Sequence, residues 1–151
     1  MRRDSRLSVV VHLLLHMTEL EGPVTSETLG PLMNMNPVLV RRMLGGLRDA
    51  GIVSAEKGHG GGWALARPLD RVTLGEVYRA LGSPTLFGIG PQRENPQCLI
   101  EQAVNRSLGK ALSDAQALLL AELERTTVAA VARDANQHHP HAKQRRGNVH
   151  A

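Results

Sequence analysis

The chain has 151 residues, a formal net charge of +4 and a single cysteine, Cys98; it is long enough for one well-packed domain with an appended helical element and too short for two large independent ones. No run of about eighteen apolar residues is present to span a bilayer, and the first turn-and-helix stretch carries Asp4, His12, His16 and Glu19 instead of a secretory pattern, so a cytoplasmic protein is expected. One cysteine excludes an intramolecular disulfide and the multi-cysteine ligand set of an ordinary zinc or iron–sulfur site, and with one Phe, one Tyr and one Trp the core must be aliphatic and mostly helical.

Leu7, Val10, Val11, Leu14 and Met17 recur at helical spacing and predict a first helix over residues 4–20, opened by Asp4 or Ser5 and closed at Gly22-Pro23. Arg2, Arg3 and Arg6 at its start are either phosphate contacts or a solvated, charged end. His12 and His16 stand four apart with no cysteine nearby in sequence, and no metal site is assigned to them. Thr25 or Ser26 caps a short second helix through Leu29 and Leu32 to Met33, with Glu27 in its first turn, where a negative charge suits the helix dipole.

After a turn at Asn34-Met35, Asn36 offers a capping oxygen and Pro37 fills the first helical position, where its missing N–H costs nothing. Val40, Met43, Leu44 and Leu47 form one apolar face of the helix that follows, and Val38, Leu39, Arg41, Arg42, Gly45 and Arg48 fall on the other. Gly51 is placed for a left-handed C-terminal cap. Ile52–Ala55 and Trp63–Leu65 then read as two strands of a hairpin whose tip is Glu56–Gly62. A short helix, a brief turn, a longer basic helix and this hairpin make a winged helix-turn-helix pattern, with Lys57, Gly58, His59, Gly60 and Gly61 at the wing tip. The basic face and the tip together form a nucleic-acid footprint, and the excess positive charge agrees with an acidic partner. The tip fits neither a P-loop nor a dinucleotide fingerprint, because its lysine and glycine spacings are wrong.

Thr73 caps a fourth helix with Leu74, Val77, Tyr78 and Leu81 on its apolar side, ended by Gly82-Ser83-Pro84. Residues 83–96 show no helical period; Leu86, Phe87 and Ile89 in this loop either line a pocket or pack it down. From Gln97 to Arg125 an apolar stripe runs through Leu99, Val104, Leu108, Leu112, Leu118, Leu119 and Leu123, enough for one helix of roughly 40 Å. A helix of that length exceeds the width of a small winged domain, so a homodimer is expected to cover it; the competing account is a break at Leu112-Ser113 into two intramolecular helices. Thr126 or Thr127 caps a short terminal helix through Val128 and Val131. The remainder, with His138, His139, His141, Lys143, Arg145 and Arg146, is polar and aperiodic and reads as a disordered basic tail able to add salt-sensitive, non-specific DNA affinity.

The fold class is therefore mainly α with a small β-hairpin: a winged helix-turn-helix plus a long C-terminal dimerisation helix. Residues 1–82 are assigned to a DNA-binding domain, 83–96 to a linker loop, 97–135 to the dimerisation helix and short terminal helix, and 136–151 to the tail.

This pattern resembles the Rrf2 family of bacterial winged-helix transcription regulators, the group that includes the iron–sulfur-cluster regulator, the nitric-oxide-sensitive repressor and the cysteine-metabolism repressor. The most specific stretch is LRDAGIVSAEKGHGGGWALARPLDRVTLGEVYRALG, from Leu47 to Gly82. The resemblance implies a homodimer, most often a repressor, on a partly palindromic operator in double-stranded DNA. The helix from Pro37 would enter the major groove through Asn36, Val38, Leu39, Arg41 and Arg42, and the wing residues Lys57, Gly58, His59, Gly60 and Gly61 would follow the adjacent minor groove. Cluster-binding members carry three cysteines in the loop and at the start of the long helix. This chain keeps only Cys98, at what resembles the last of those positions, with Glu101 where the iron–sulfur-cluster regulator has a further ligand. No cofactor is assigned on that ground, and Cys98 is left as a sensing thiol, an intermolecular disulfide partner or a buried group, with an oxidant or a small molecule at the adjacent loop as the possible effector. No nucleophile–base arrangement has supporting context, so the chain is not read as an enzyme. The rival function is a winged-helix protein-interaction module that reads no DNA.

Overall fold

A computed structural model describes residues 4–91, 95 and 97–138; Arg2, Arg3 and the tail from His139 onward, with its basic and histidine residues, lie outside the described residues. The elements run α1 (Arg6–Met17), α2 (Ser26–Leu32), α3 (Pro37–Asp49), β1 (Val53–Glu56), β2 (Gly62–Leu65), a 3-10 turn (Leu69–Arg71), α4 (Leu74–Ala80), α5 (Leu99–Arg125) and α6 (Val128–His138). This is the mainly helical winged-helix arrangement that the spacing predicts. α1 is shorter at both ends than expected: Asp4 accepts from the Arg6 backbone N–H at 3.0 Å, and Ser5 holds the cap position without a side-chain bond. α6 runs past the expected start of the tail at residue 136.

The helix boundaries follow from local chemistry. Thr25 Oγ1 accepts from Thr28 N, Asn36 Oδ1 accepts from Val38 N at 2.8 Å, and Gly51 takes φ +70° where α3 must stop. At α4, Thr73 accepts from Glu76 N while the Glu76 carboxylate accepts from Thr73 N at 2.9 Å, a reciprocal capping box. The Thr73 N–H holds the Glu76 carboxyl below its usual range, and Arg67, which donates to Glu76 at 2.7 Å, acts in the same direction.

The core is aliphatic. Val10, Leu13 and Leu14 of α1, Leu29 of α2, Val40, Leu44 and Leu47 of α3, and Ile52, Val72 and Val77 are fully buried. α1 is enclosed by α4, α6 and β2, which is why Leu13, off the predicted stripe, is buried as well. α5 is one continuous helix of 27 residues, with no interruption at Leu112-Ser113 and with none of its residues buried. After it the chain returns to the helical body: Val128 N donates to Val72 O at 2.8 Å, Leu74 N donates to Thr126 O at 2.9 Å, and Val128 joins the core at full burial. The core of the first 82 residues thus takes in a residue from the segment that follows the long helix.

Candidate nucleic-acid interface

The orientation of α3 is set by what it buries. With Val40, Met43, Leu44 and Leu47 packed inward, a 3.6-residue period leaves Val38, Leu39, Arg41, Arg42 and Arg48 outside. Val38 and Leu39 are 60% and 42% exposed, large apolar groups held in water beside arginines. Asn36 is exposed, and its side chain is engaged in the cap.

The arginines are not equivalent. Arg41 donates to Glu27 of α2 at 2.8 Å, and Arg48 donates to its neighbour Asp49 at 2.9 Å. Arg42 has no hydrogen-bond or ion-pair partner among the described residues. It lines a hollow of about 270 Å³ with Arg6, Leu39, Met43 and Gly46, which brings the cation at the start of α1 to the same face as α3.

The wing is an antiparallel hairpin with Val53 opposite Leu65 and Glu56 opposite Gly62. Its tip turns through left-handed glycines, and Lys57 and His59 project into solvent without partners among the described residues. What fixes the wing to the body is a contact that sequence reasoning missed. Val24 and Trp63 exchange two backbone hydrogen bonds of 2.8 Å, and the Trp63 indole N–H donates to Ser26 Oγ at 3.0 Å; Trp63 and Ser26 are both buried. Gly62 permits this approach. Its φ is +153°, and a Cβ there would lie 2.7 Å from the Val24 carbonyl. Because Val24–Ser26 also launch α2, the wing and the helix-turn-helix share an anchoring segment. The available signal was Val24 itself, a β-branched residue between Pro23 and Thr25.

The structure therefore places Asn36, Val38, Leu39, Arg41 and Arg42 on the exposed side of α3 and Lys57, Gly58, His59 and Gly60 at an exposed tip, with Gly61 half-buried at the base of the turn. Such a surface offers cations for phosphates, fork-shaped donors for guanine edges and methyl groups for thymine.

Cys98 is a separate matter. It occupies the cap position of α5 and is partly exposed. Glu101 accepts from the Asn95 backbone N–H at 3.0 Å. With one thiol in the chain, and no three His, Cys, Asp or Glu side chains converging among the described residues, this donor set does not fit an iron–sulfur cluster. The loop before it, residues 83–91, is pinned where Tyr78 Oη donates to Pro84 O at 2.9 Å. Leu86 and Phe87 line cavities of about 830 and 350 Å³ against α1, α4 and α5, so these apolar residues do border pockets. No helix among the described residues is long and apolar enough to cross a membrane.

A family model described as Rrf2, iron-dependent transcriptional regulator, matches residues 3–134. YwnA of Bacillus subtilis, a proposed HTH-type transcriptional regulator, is 30% identical over 120 residues, which are 80% of this chain and 89% of YwnA. Among solved structures, a proposed transcriptional regulator from Lactobacillus plantarum superposes with a TM-score of 0.75 at 25% identity, covering 95% of this chain and 97% of its own. CymR, the global cysteine regulator of B. subtilis, superposes with a TM-score of 0.59 at 21% identity over 88% of this chain and 97% of CymR, a likeness of fold.

Proposed function

The chain belongs to the Rrf2 family of helix-turn-helix transcriptional regulators, which are not enzymes, and from that premise we propose that it is a homodimeric repressor that occupies a partly palindromic operator in double-stranded DNA. The observation that carries the reading is the exposed half of α3, where Val38, Leu39 and the unpartnered Arg42 stand on a helix whose opposite face is locked in the core. In this account the first turns of α3 read the major groove, Arg42 and Arg41 reach guanine edges or phosphates, Val38 and Leu39 meet thymine methyls, and Lys57 and His59 enter the flanking minor groove. Residues 1–82 with α6 form the reading unit. The long helix provides dimerisation, since Ile100, Val104 and Leu118 are 77%, 56% and 67% exposed along one side of α5. A two-fold dimer would set two copies of α3 about one turn of DNA apart, roughly 34 Å.

The test is fluorescence anisotropy at fixed salt with duplexes selected from fragmented genomic DNA. Arg42→Ala together with Lys57→Ala is expected to weaken binding by about 100-fold, at ~1–3 kcal/mol per lost contact, while the protein remains folded. Unchanged affinity removes these residues from the reading surface.

The signal-responsive element in this proposal is Cys98 with the loop of residues 83–91, supported by the partly exposed thiol at the start of α5 and the cavities beside Tyr78 and Phe87. If peroxide releases wild type from DNA and leaves Cys98→Ser bound, the thiol is the sensor. Equal release of both eliminates it.

A further inference from the structure

One ion pair at the proposed reading surface joins α2 to α3 and lies open to water. Arg41 Nη2 and Glu27 Oε1 are 2.8 Å apart, with the two side chains 59% and 63% exposed. Water and salt screen a pair this open, so it adds little to stability. Its effect is on where charge sits. Glu27 is the second residue of α2, adjacent to the buried Ser26 that Trp63 holds, and Arg41 follows the fully buried Val40 on α3. Both backbones are fixed by core packing, which keeps the two side chains within reach of each other.

In a helix-turn-helix the first helix crosses the phosphate backbone while the second enters the groove. A carboxylate on that first helix repels phosphates, and it also neutralises an arginine that would otherwise seek them. Arg42, one residue on, has no such partner among the described residues. A lone phosphate offers the Arg41 guanidinium little that the Glu27 carboxylate does not already supply. A guanine edge in register offers a bidentate contact in addition.

We infer that Glu27 is a specificity-determining residue acting through Arg41: it withholds this arginine from sequence-independent phosphate contacts and releases it only where a matching base edge competes. The inference rests on the DNA-reading role of α3 proposed above. Specificity gained by suppressing wrong partners lowers affinity for every duplex and lowers it most for those without the matching edge.

The experiment compares full-length wild type, Glu27→Gln, Arg41→Gln and the double variant by anisotropy over a salt series. The probes are a short duplex of random sequence and the duplex selected from genomic DNA. Glu27→Gln is expected to tighten the random duplex by about 3- to 10-fold and to steepen the dependence of log K on log salt by ~0.9, one phosphate contact. The selected duplex should gain less, so the ratio of specific to non-specific affinity falls. Arg41→Gln should leave random-duplex affinity nearly unchanged when Glu27 is present and erase the gain when Gln occupies position 27. Equal effects of Arg41→Gln in both backgrounds, or an unchanged ratio, overturn the inference. If that happens in a protein whose Arg42→Ala/Lys57→Ala form has lost affinity, the DNA-reading assignment survives. Folded wild type that binds neither duplex overturns that assignment and this inference with it.

Discussion

Gly62→Ala tests whether the wing is held by the Val24–Trp63 pairing. The added methyl would stand 2.7 Å from the carbonyl carbon and oxygen of Val24 and 2.9 Å from its nitrogen, and the residue would keep φ +153°, a region that side chains avoid. Backbone at both contacts cannot yield cheaply, so the two 2.8 Å hydrogen bonds between Val24 and Trp63 should open. Each is worth ~0.5–1.5 kcal/mol net, and the indole bond to Ser26 adds about 1 kcal/mol more. The expected loss is therefore about 2–4 kcal/mol, a large fraction of a marginal total stability but not all of it. Trp63 is the only tryptophan in the chain and is 8% exposed, so its fluorescence reports this contact without a label. Denaturant unfolding should show the loss, and native emission should shift to the red as the indole meets water. Gly60→Ala is the control: its φ is +77° but nothing lies within 4 Å, so it should cost only about 1–2 kcal/mol of backbone strain and leave the emission in place. Equal stability losses in the two variants with unshifted emission would refute the pinned wing.

Neighbouring glycines in α3 should respond with opposite sign: Gly45→Ala, facing open space, should gain ~0.5–1 kcal/mol of helix propensity, whereas a Cβ at Gly46 would sit 2.5 Å from the Ala80 carbonyl and should destabilise, both read by thermal melting. Val104→Asp with Leu118→Asp, at positions 56% and 67% exposed in the single chain, should convert the proposed dimer to monomer in sedimentation while helicity is retained; an unchanged sedimentation coefficient would remove this side of α5 from the proposed interface. The Glu76 carboxyl is depressed in the folded state, chiefly by the Thr73 N–H, so its contribution is fully present above the ordinary carboxyl range and fades as pH falls through the folded value. Glu76→Gln should accordingly be less stable than wild type at neutral pH, and the gap should close on acidification; a gap that widens toward low pH contradicts the assignment.

Features written in neighbouring residues are legible in the sequence itself. Asn36-Pro37 announces α3, Thr73 announces α4, and the hairpin follows from Gly51 and the glycine-rich tip, because caps and turns are decided within a few bonds. The continuity of α5 was legible as a stripe but not as a certainty, since an intramolecular break would show the same apolar spacing. What the sequence concealed depends on pairs distant along the chain. Val24 with Trp63, Ser26 with Trp63, Glu27 with Arg41 and Val128 with Val72 carry no local periodicity. Val128 with Val72 joins the terminal helix to the first unit's core, and Glu27 with Arg41 alters which cation on α3 is unpaired, so both the core and the proposed reading surface needed the fold to be completed.

The return of the chain at Thr126–Val128 has a mechanical consequence. At that end α5 is fastened to the body through the backbone bonds to Val72 and Leu74, and through Glu124, which accepts from Arg79 and from Thr73 Oγ1. At the other end Leu99 and Ile100 are 77% exposed. The helix is thus a lever with its fulcrum beside α4. Over roughly 40 Å of length, a tilt of about 5° carries the Cys98 end some 3.5 Å, close to the rise of one DNA base pair. In the proposed dimer a displacement of that size matches one base-pair step in the spacing of two α3 helices, and spin labels at the Cys98 end of α5 and on α3 would measure whether the tilt occurs.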